Sequence, residues 1–352
     1  AGGLFEGMKG RVLRSSGAEE PLEAASSGMT YPMSSAQKRI YVLSQTKGGE
    51  LAYHISGVLV IDGALDRGRL EACFGAIIDR HESLRAGFVI MDDTLVQQVC
   101  NRLDFNISYF ERPSGNIDAI VRECIRPFDL AKPPLLRDSL VRLTEDRHLL
   151  VVDAHHIIFD GISGYLFLSE LIKRYGGETA FPSAAPYRDY VEMEQDYLAG
   201  DEYGKHERYW GEKFSSAVPP LDLPADFSRP PVKTFRGDKI FRKLDSDATR
   251  KVRSTARSAG VSLHMILFAA YFLLLHKLTG NEDVVVGTTY DGRGAVMFGA
   301  SIGMFVNTVP VRCQPEGTKT FRAFLDEVKR EVLDAYDRRE YPFEDLVKKL
   351  SP

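Results

Sequence analysis

Two histidines stand side by side at His155 and His156, and after three apolar residues come Asp160 and Gly161. An imidazole exchanges a proton near neutral pH or accepts a hydrogen bond, so it suits a nucleophile that must lose a proton. A carboxylate four residues on, carried on a turning backbone, is better suited to fixing the loop, because once buried it needs a cation partner. Gly161 leaves a bare backbone N–H that a ligand can approach closely. Acid/base chemistry, a structural pair and a metal site all use such residues. The metal reading is weakened because His54, His81, His148, His206, His264 and His276 are scattered and no cluster has ligand spacing. Between acid/base and structural roles, the spacing alone does not choose.

The elements that must position this group can be read on either side of it. Residues 149–152, Leu-Leu-Val-Val after a turn at Glu145-Asp146-Arg147, predict a buried strand that delivers the pair to its end. Adjacent strand residues point to opposite faces, so one histidine works and the other supports. Asp160-Gly161 breaks the strand and leads into a helix over 164–174. Upstream, a strand over 53–61 turns at Asp62-Gly63 into a helix from about Asp66, whose Leu70, Cys73, Phe74, Ile77 and Ile78 make a core-facing stripe. Segments 135–143 and 147–154 form a hairpin, and the alternation is a mixed α/β pattern.

Residues 1–30 read as a linker or the remnant of an upstream module, and 31–210 as an N-terminal lobe. Five prolines crowd 211–237, an extended connector. Residues 238–352 form a C-terminal lobe with a strand at 239–244, a helix from Asp245, an apolar helix over 263–278 and a buried strand over 283–289. At 352 residues the chain can hold two cores, and its net charge of -4 is spread with no basic stripe for nucleic acid. No apolar run reaches the roughly 18 residues of a membrane span, and 265–275 reads as a buried helix. The first residues lack the pattern of a secretory signal, and Cys73, Cys100, Cys124 and Cys313 have no paired spacing, so the expected compartment is the cytoplasm.

The heptad His155–Gly161 resembles the HHxxxDG signature of the condensation domains of nonribosomal peptide synthetases, in the chloramphenicol acetyltransferase-like superfamily. Five more segments resemble elements of that family in the same order: Ser34 to Tyr41, Arg80 to Phe88, Tyr187 to Tyr190, Ile302 to Thr308 and Arg339 to Glu344. The resemblance runs from about Tyr31 to Pro352. It departs in two places: family members continue past the last element, so the second lobe is expected to be truncated at its C-terminus, and a usual histidine is replaced by Arg338 or Arg339.

The resemblance implies an α/β (mixed α+β) fold of two chloramphenicol acetyltransferase-like lobes arranged as a V, with the active site in the tunnel between them. It implies amide-bond formation: the amine of an acceptor aminoacyl thioester attacks a donor acyl thioester, each on the phosphopantetheine arm of a peptidyl carrier protein. No cofactor or metal is expected on the domain itself, a neighbouring adenylation domain is expected as a partner, and no nucleic acid or membrane. His156 is expected to meet the attacking amine, as base or positioning group, with His155 supporting the loop and Gly161 N–H near the thioester oxygen. Asp160 is expected to pair with Arg80 or Arg85, while Asn307 and Ser163 are candidate substrate contacts, with a strand-end turn cap the equal alternative for Asn307, and Ser35, Gln37 and Arg39 packing or wall residues. The motif argues against a heterocyclisation domain, and Ile162-Ser163-Gly164-Tyr165 after the Asp-Gly step against an epimerisation domain. A starter domain that acylates the first amino acid with a fatty acyl group, and a noncatalytic platform that recruits enzymes, are the alternatives.

Overall fold

The computed structural model describes residues 28–46, 48–112, 116–231, 234–235 and 237–350. They fall into two compact units: one holds the described residues up to Gly200 together with Asp291–Val306, the other Asp201–Tyr290 and the described residues from Asn307 on. The expected linker residues 1–27 lie outside the described residues.

In the first unit, β1 (Met29–Pro32), β3 (Ala86–Met91) and β4 (Thr94–Val99) form an antiparallel sheet in the order β1-β4-β3. Met29 and Thr30, expected in the linker, belong to it. A second sheet, in the order β2-β7-β6-β5, contains β2 (His54–Asp62), β5 (Ser108–Glu111), β6 (Leu136–Thr144) and β7 (Arg147–His155). All its pairings are antiparallel except β5 with β6. The helices are α1 (Ser35–Ser44), α2 (Arg67–Arg80), α3 (Ile117–Cys124), α4 (Gly161–Tyr175) and α5 (Tyr187–Ala199).

Asp66 starts α2 by accepting the backbone N–H of Arg69, an N-cap that satisfies a donor the helix leaves free. The buried residues of α2 are Leu70, Cys73, Phe74, Ile77 and Ile78, the stripe read from the sequence. They pack with Leu136, Leu140, Leu150 and Val152 of β6 and β7 and with Phe167 and Leu171 of α4. Each large apolar side chain removed from water contributes roughly 1.5–3 kcal/mol, and truncating Ile77 to alanine would cost about 2–5 kcal/mol. The opposite face of the sheet buries Val141, Leu149 and Val151 under Ile120 and Cys124 of α3.

The second unit contains α6 (Asp201–Lys213), α7 (Ser246–Ala259), α8 (Leu263–Thr279), β8 (Val284–Tyr290), β9 (Asn307–Cys313), α9 (Phe321–Tyr336) and α10 (Phe343–Leu350), with β8 antiparallel to β9. Three expectations change here. The boundary expected at 210 falls at 200, because Trp210 of α6 and the following Phe214 are buried in this unit's core with Phe268 and Phe272. Residues 239–244 are not a strand: they have no partner strand among the described residues, and Ile240 and Phe241 are 82% exposed. The apolar α8 is buried on one face only, through Met265, Ile266, Phe268, Ala269, Phe272 and Leu275, while Leu267, Tyr271, Leu274 and Leu278 are exposed. A hydrophobic run reads the same whether one side or both are covered.

Candidate active site

Strand β7 ends at His155, and the register sets what surrounds it: His54 of β2 lies opposite His155, and Ser56 opposite Asp153. His155 is 1% exposed. Its Nδ1 accepts the N–H of Ile157 at 3.2 Å, which puts the proton of a neutral ring on Nε2, 3.4 Å from the Ser44 hydroxyl. Burial, with His54 and His156 close by, pushes its pKa down to about 3, so the ring stays neutral at physiological pH.

The chain then turns tightly, with Ile158 N–H donating to His155 O and Phe159 N–H to His156 O. His156 N–H is held by the Tyr53 carbonyl at 2.7 Å. Gln37, 1% exposed, donates to the Ile157 carbonyl at 3.2 Å and so braces the turn from α1. His156 itself is partly exposed, and its Nδ1 is buried with no hydrogen-bond partner among the described residues.

Asp160 is fully buried and caps α4: its Oδ1 accepts Ser163 N–H at 2.7 Å. Its cation is Arg293, which donates from Nη1 to Oδ2 and from Nη2 to Oδ1, each at 2.9 Å, a bidentate fork. Phe305 N–H donates to Oδ2 at 3.2 Å, and the guanidinium lies 4.2 Å from the Phe305 ring. The expected partners Arg80 and Arg85 are engaged elsewhere. Arg80 donates to Pro182 O and lies near Glu170, while Arg85 collects the carbonyls of Ile78 and Asp79 at the end of α2 and of Cys100 and Asn101 just after β4. Both sit where α2 leaves carbonyls and a turn to be tied down, and a guanidinium used that way cannot also reach Asp160.

Ser163 is fully buried, and its hydroxyl is consumed by Gly303 O, Gly303 N–H and Arg293. It holds the 302–305 segment and has no surface to offer a substrate. Asn307, in the second unit, is likewise spent: Nδ2 donates to the carbonyls of Arg339 and Tyr341 at 2.7 and 2.8 Å, and Oδ1 accepts Thr308 N–H. It clamps the turn before α10. Gly161 is the exposed first residue of α4, its φ is not positive, and a Cβ there would meet nothing within 4 Å. Neither packing nor strain explains glycine there. Ser35 donates its N–H to Glu194, and Arg39 reaches the Val306 carbonyl at 3.5 Å.

Sequence reasoning missed Arg293, which lies 133 residues from Asp160. A signal existed: Gly292 has φ of +67°, and a Cβ on it would stand 2.0 Å from the Phe305 carbonyl oxygen, so Asp291-Gly292-Arg293-Gly294 marks a forced turn. Among the described residues no group of three or more His, Cys, Asp or Glu is arranged to hold a metal ion. Among them, too, no single helix is long and apolar enough to cross a membrane.

A family model described as "Condensation domain" matches residues 28–352. The chain is 41% identical over 91% of its length to "Bacitracin synthase 1" of Bacillus licheniformis, of which it covers 6%. It is 40% identical over 91% of its length to "Tyrocidine synthase 3" of Brevibacillus parabrevis, of which it covers 5%. The chain therefore spans a small fraction of these relatives. A solved structure, "Complex of the X-domain and OxyB from Teicoplanin Biosynthesis", matches with a TM-score of 0.83 at 26% identity, covering 95% of this chain and 77% of that one.

Proposed function

The chain belongs to the condensation domain family, and from that premise we propose that it joins a donor acyl thioester to the amine of an acceptor aminoacyl thioester, with His156 meeting the attacking amine. One observation carries the assignment to His156. Among the polar side chains of the motif, His155 and Asp160 are buried and spent on internal hydrogen bonds, while the His156 ring is partly exposed, with its buried Nδ1 making no hydrogen bond among the described residues.

In this reaction the amine nitrogen forms a bond to the thioester carbonyl carbon, the C–S bond breaks, and the departing sulfur leaves as the thiol of the donor arm. The amine proton passes to the thiolate or to solvent. A thioester is already activated, so holding the two reactants together supplies most of the rate. His156 serves by hydrogen-bonding the amine and directing its lone pair, and the exposed N–H of Gly161 at the positive end of α4 faces the developing oxyanion. The substrates arrive on phosphopantetheine arms of donor and acceptor carrier proteins, beside an adenylation domain that loads them. A reducing cytoplasm suits the four buried free cysteines.

The test is intact-mass spectrometry of an acceptor carrier charged with a free aminoacyl group, mixed with a donor carrier charged with an N-formyl aminoacyl group, over a panel of side chains. Transfer of the donor mass to the acceptor by the wild-type chain, and its loss in a folded His156→Ala variant, is the expected result. No transfer across the panel, with enzymes other than carriers retained by the immobilised chain, would instead make it a recruiting platform.

A further inference from the structure

We propose that His54 and Asp153 are a positioning pair for His156: a buried imidazole and carboxylate that lock the start of β2 to the end of β7. The idea rests on the role proposed above for His156, but its geometry is separate. The two side chains are 3% and 1% exposed, on the sheet face that also carries His155.

The ring is held at both nitrogens. His54 Nδ1 lies 3.0 Å from both carboxylate oxygens of Asp153, and Nε2 lies 3.1 Å from the Glu50 carbonyl oxygen. The Asp153 carboxylate also accepts from the Ser56 hydroxyl at 2.9 Å and from Arg137 at 3.5 Å.

The groups facing it come from several elements. Asp153 and the His155 ring, 5.8 Å away and edge-on, come from β7, and Ser56 from β2. Arg137 comes from β6, where it also donates to Arg126 O and lies 4.2 Å over the Phe128 ring. That ring is 5.0 Å from His54.

The link to His156 runs through the backbone. Tyr53, the residue before His54, supplies the carbonyl that holds His156 N–H at 2.7 Å. His54 pins its own strand to Asp153 on one side and the preceding turn to Glu50 O on the other, so the Tyr53 carbonyl is fixed between two anchored points. Removing the Asp153 carboxylate frees one of those anchors, and the Tyr53 carbonyl and His156 shift together. Asp153 and His54 touch no substrate in this scheme.

The experiment compares the full chain with its Asp153→Asn and Ser56→Ala variants at one pH, with 15N in the histidine rings, read by long-range proton–nitrogen NMR, alongside the condensation rate with the carrier pair that works best. In Asp153→Asn the ring signals of His54 and His156 are expected to move together and kcat to fall at least about ten-fold with KM little changed, as expected for a misplaced catalytic group. Ser56→Ala is expected to give an intermediate effect. His156 signals and kcat unchanged in a folded Asp153→Asn variant overturn the proposal. Ring signals that move together, with no product from the wild type, would instead remove the condensation reading and leave the pair standing.

Discussion

Removing Arg293 isolates a buried charge, and the structure sets how much that costs. Asp160 is fully buried and the Arg293 side chain is 4% exposed, so little solvent can take the place of the guanidinium. In Arg293→Met, Asp160 keeps only the N–H groups of Ser163 and Phe305. Breaking a buried pair by deleting one partner costs about 3–5 kcal/mol. For a unit of this size, that lowers the melting temperature by roughly 6–20 °C. Changing both members, Arg293→Met with Asp160→Asn, removes the orphaned charge, so the double variant should cost less than the two single changes added, by at least about 1 kcal/mol. Trp210 is the only tryptophan and lies in the second unit, so its fluorescence reports there. The first unit is followed by circular dichroism and by hydrogen exchange at β7 amides. Loss of less than about 1 kcal/mol in Arg293→Met, or strictly additive single changes, would refute the reasoning that this pair holds the motif loop.

Burial pushes the pKa of Asp138, which is 2% exposed with Oδ2 unpaired, up to about 7. Its raised folded-state pKa means that the unfolded chain releases the proton first as pH rises, so stability falls between about pH 4 and pH 7 and levels off above that. Asp138→Asn should match wild type near pH 4 and exceed it by on the order of 4 kcal/mol at pH 8, measured by urea unfolding at each pH. Gly161→Val should leave the melting temperature nearly unchanged, because a Cβ meets nothing within 4 Å, yet lower turnover at least about ten-fold if the N–H there faces the reacting carbonyl. Asn307→Ala should weaken the turn before α10 by about 1–3 kcal/mol, seen as faster hydrogen exchange at Phe343, whose N–H the side chain accepts.

The elements that hold the site were legible because local rules decide them. The stripe of α2 follows the helical period, the cap at Asp66 is an aspartate before that stripe, and the run ending at His155 is a short Val/Leu strand. The opposed roles of His155 and His156 follow from alternation along that strand, and the turn after His155 adds a neutral, enclosed ring beside a partly exposed one. Partner choice across long separations was not legible. Any arginine could neutralise Asp160, and only the fold shows that Arg80 and Arg85 are spent on carbonyls while Arg293 is brought in by 291–306. Ser163 and Asn307 show a related difficulty: a serine or asparagine in a motif has the same chemistry whether its hydrogen bonds face a ligand or close a turn, and for Asn307 it is the turn-capping alternative that the hydrogen bonds match. His54 looked like a scattered histidine until the register placed it opposite His155.

The most direct measurement is the single-turnover rate of amide formation at saturating donor and acceptor carriers, wild type against His156→Ala, with matching circular dichroism spectra. The account predicts a fall of about a hundred-fold or more in the variant. An unchanged rate in a folded variant would contradict it.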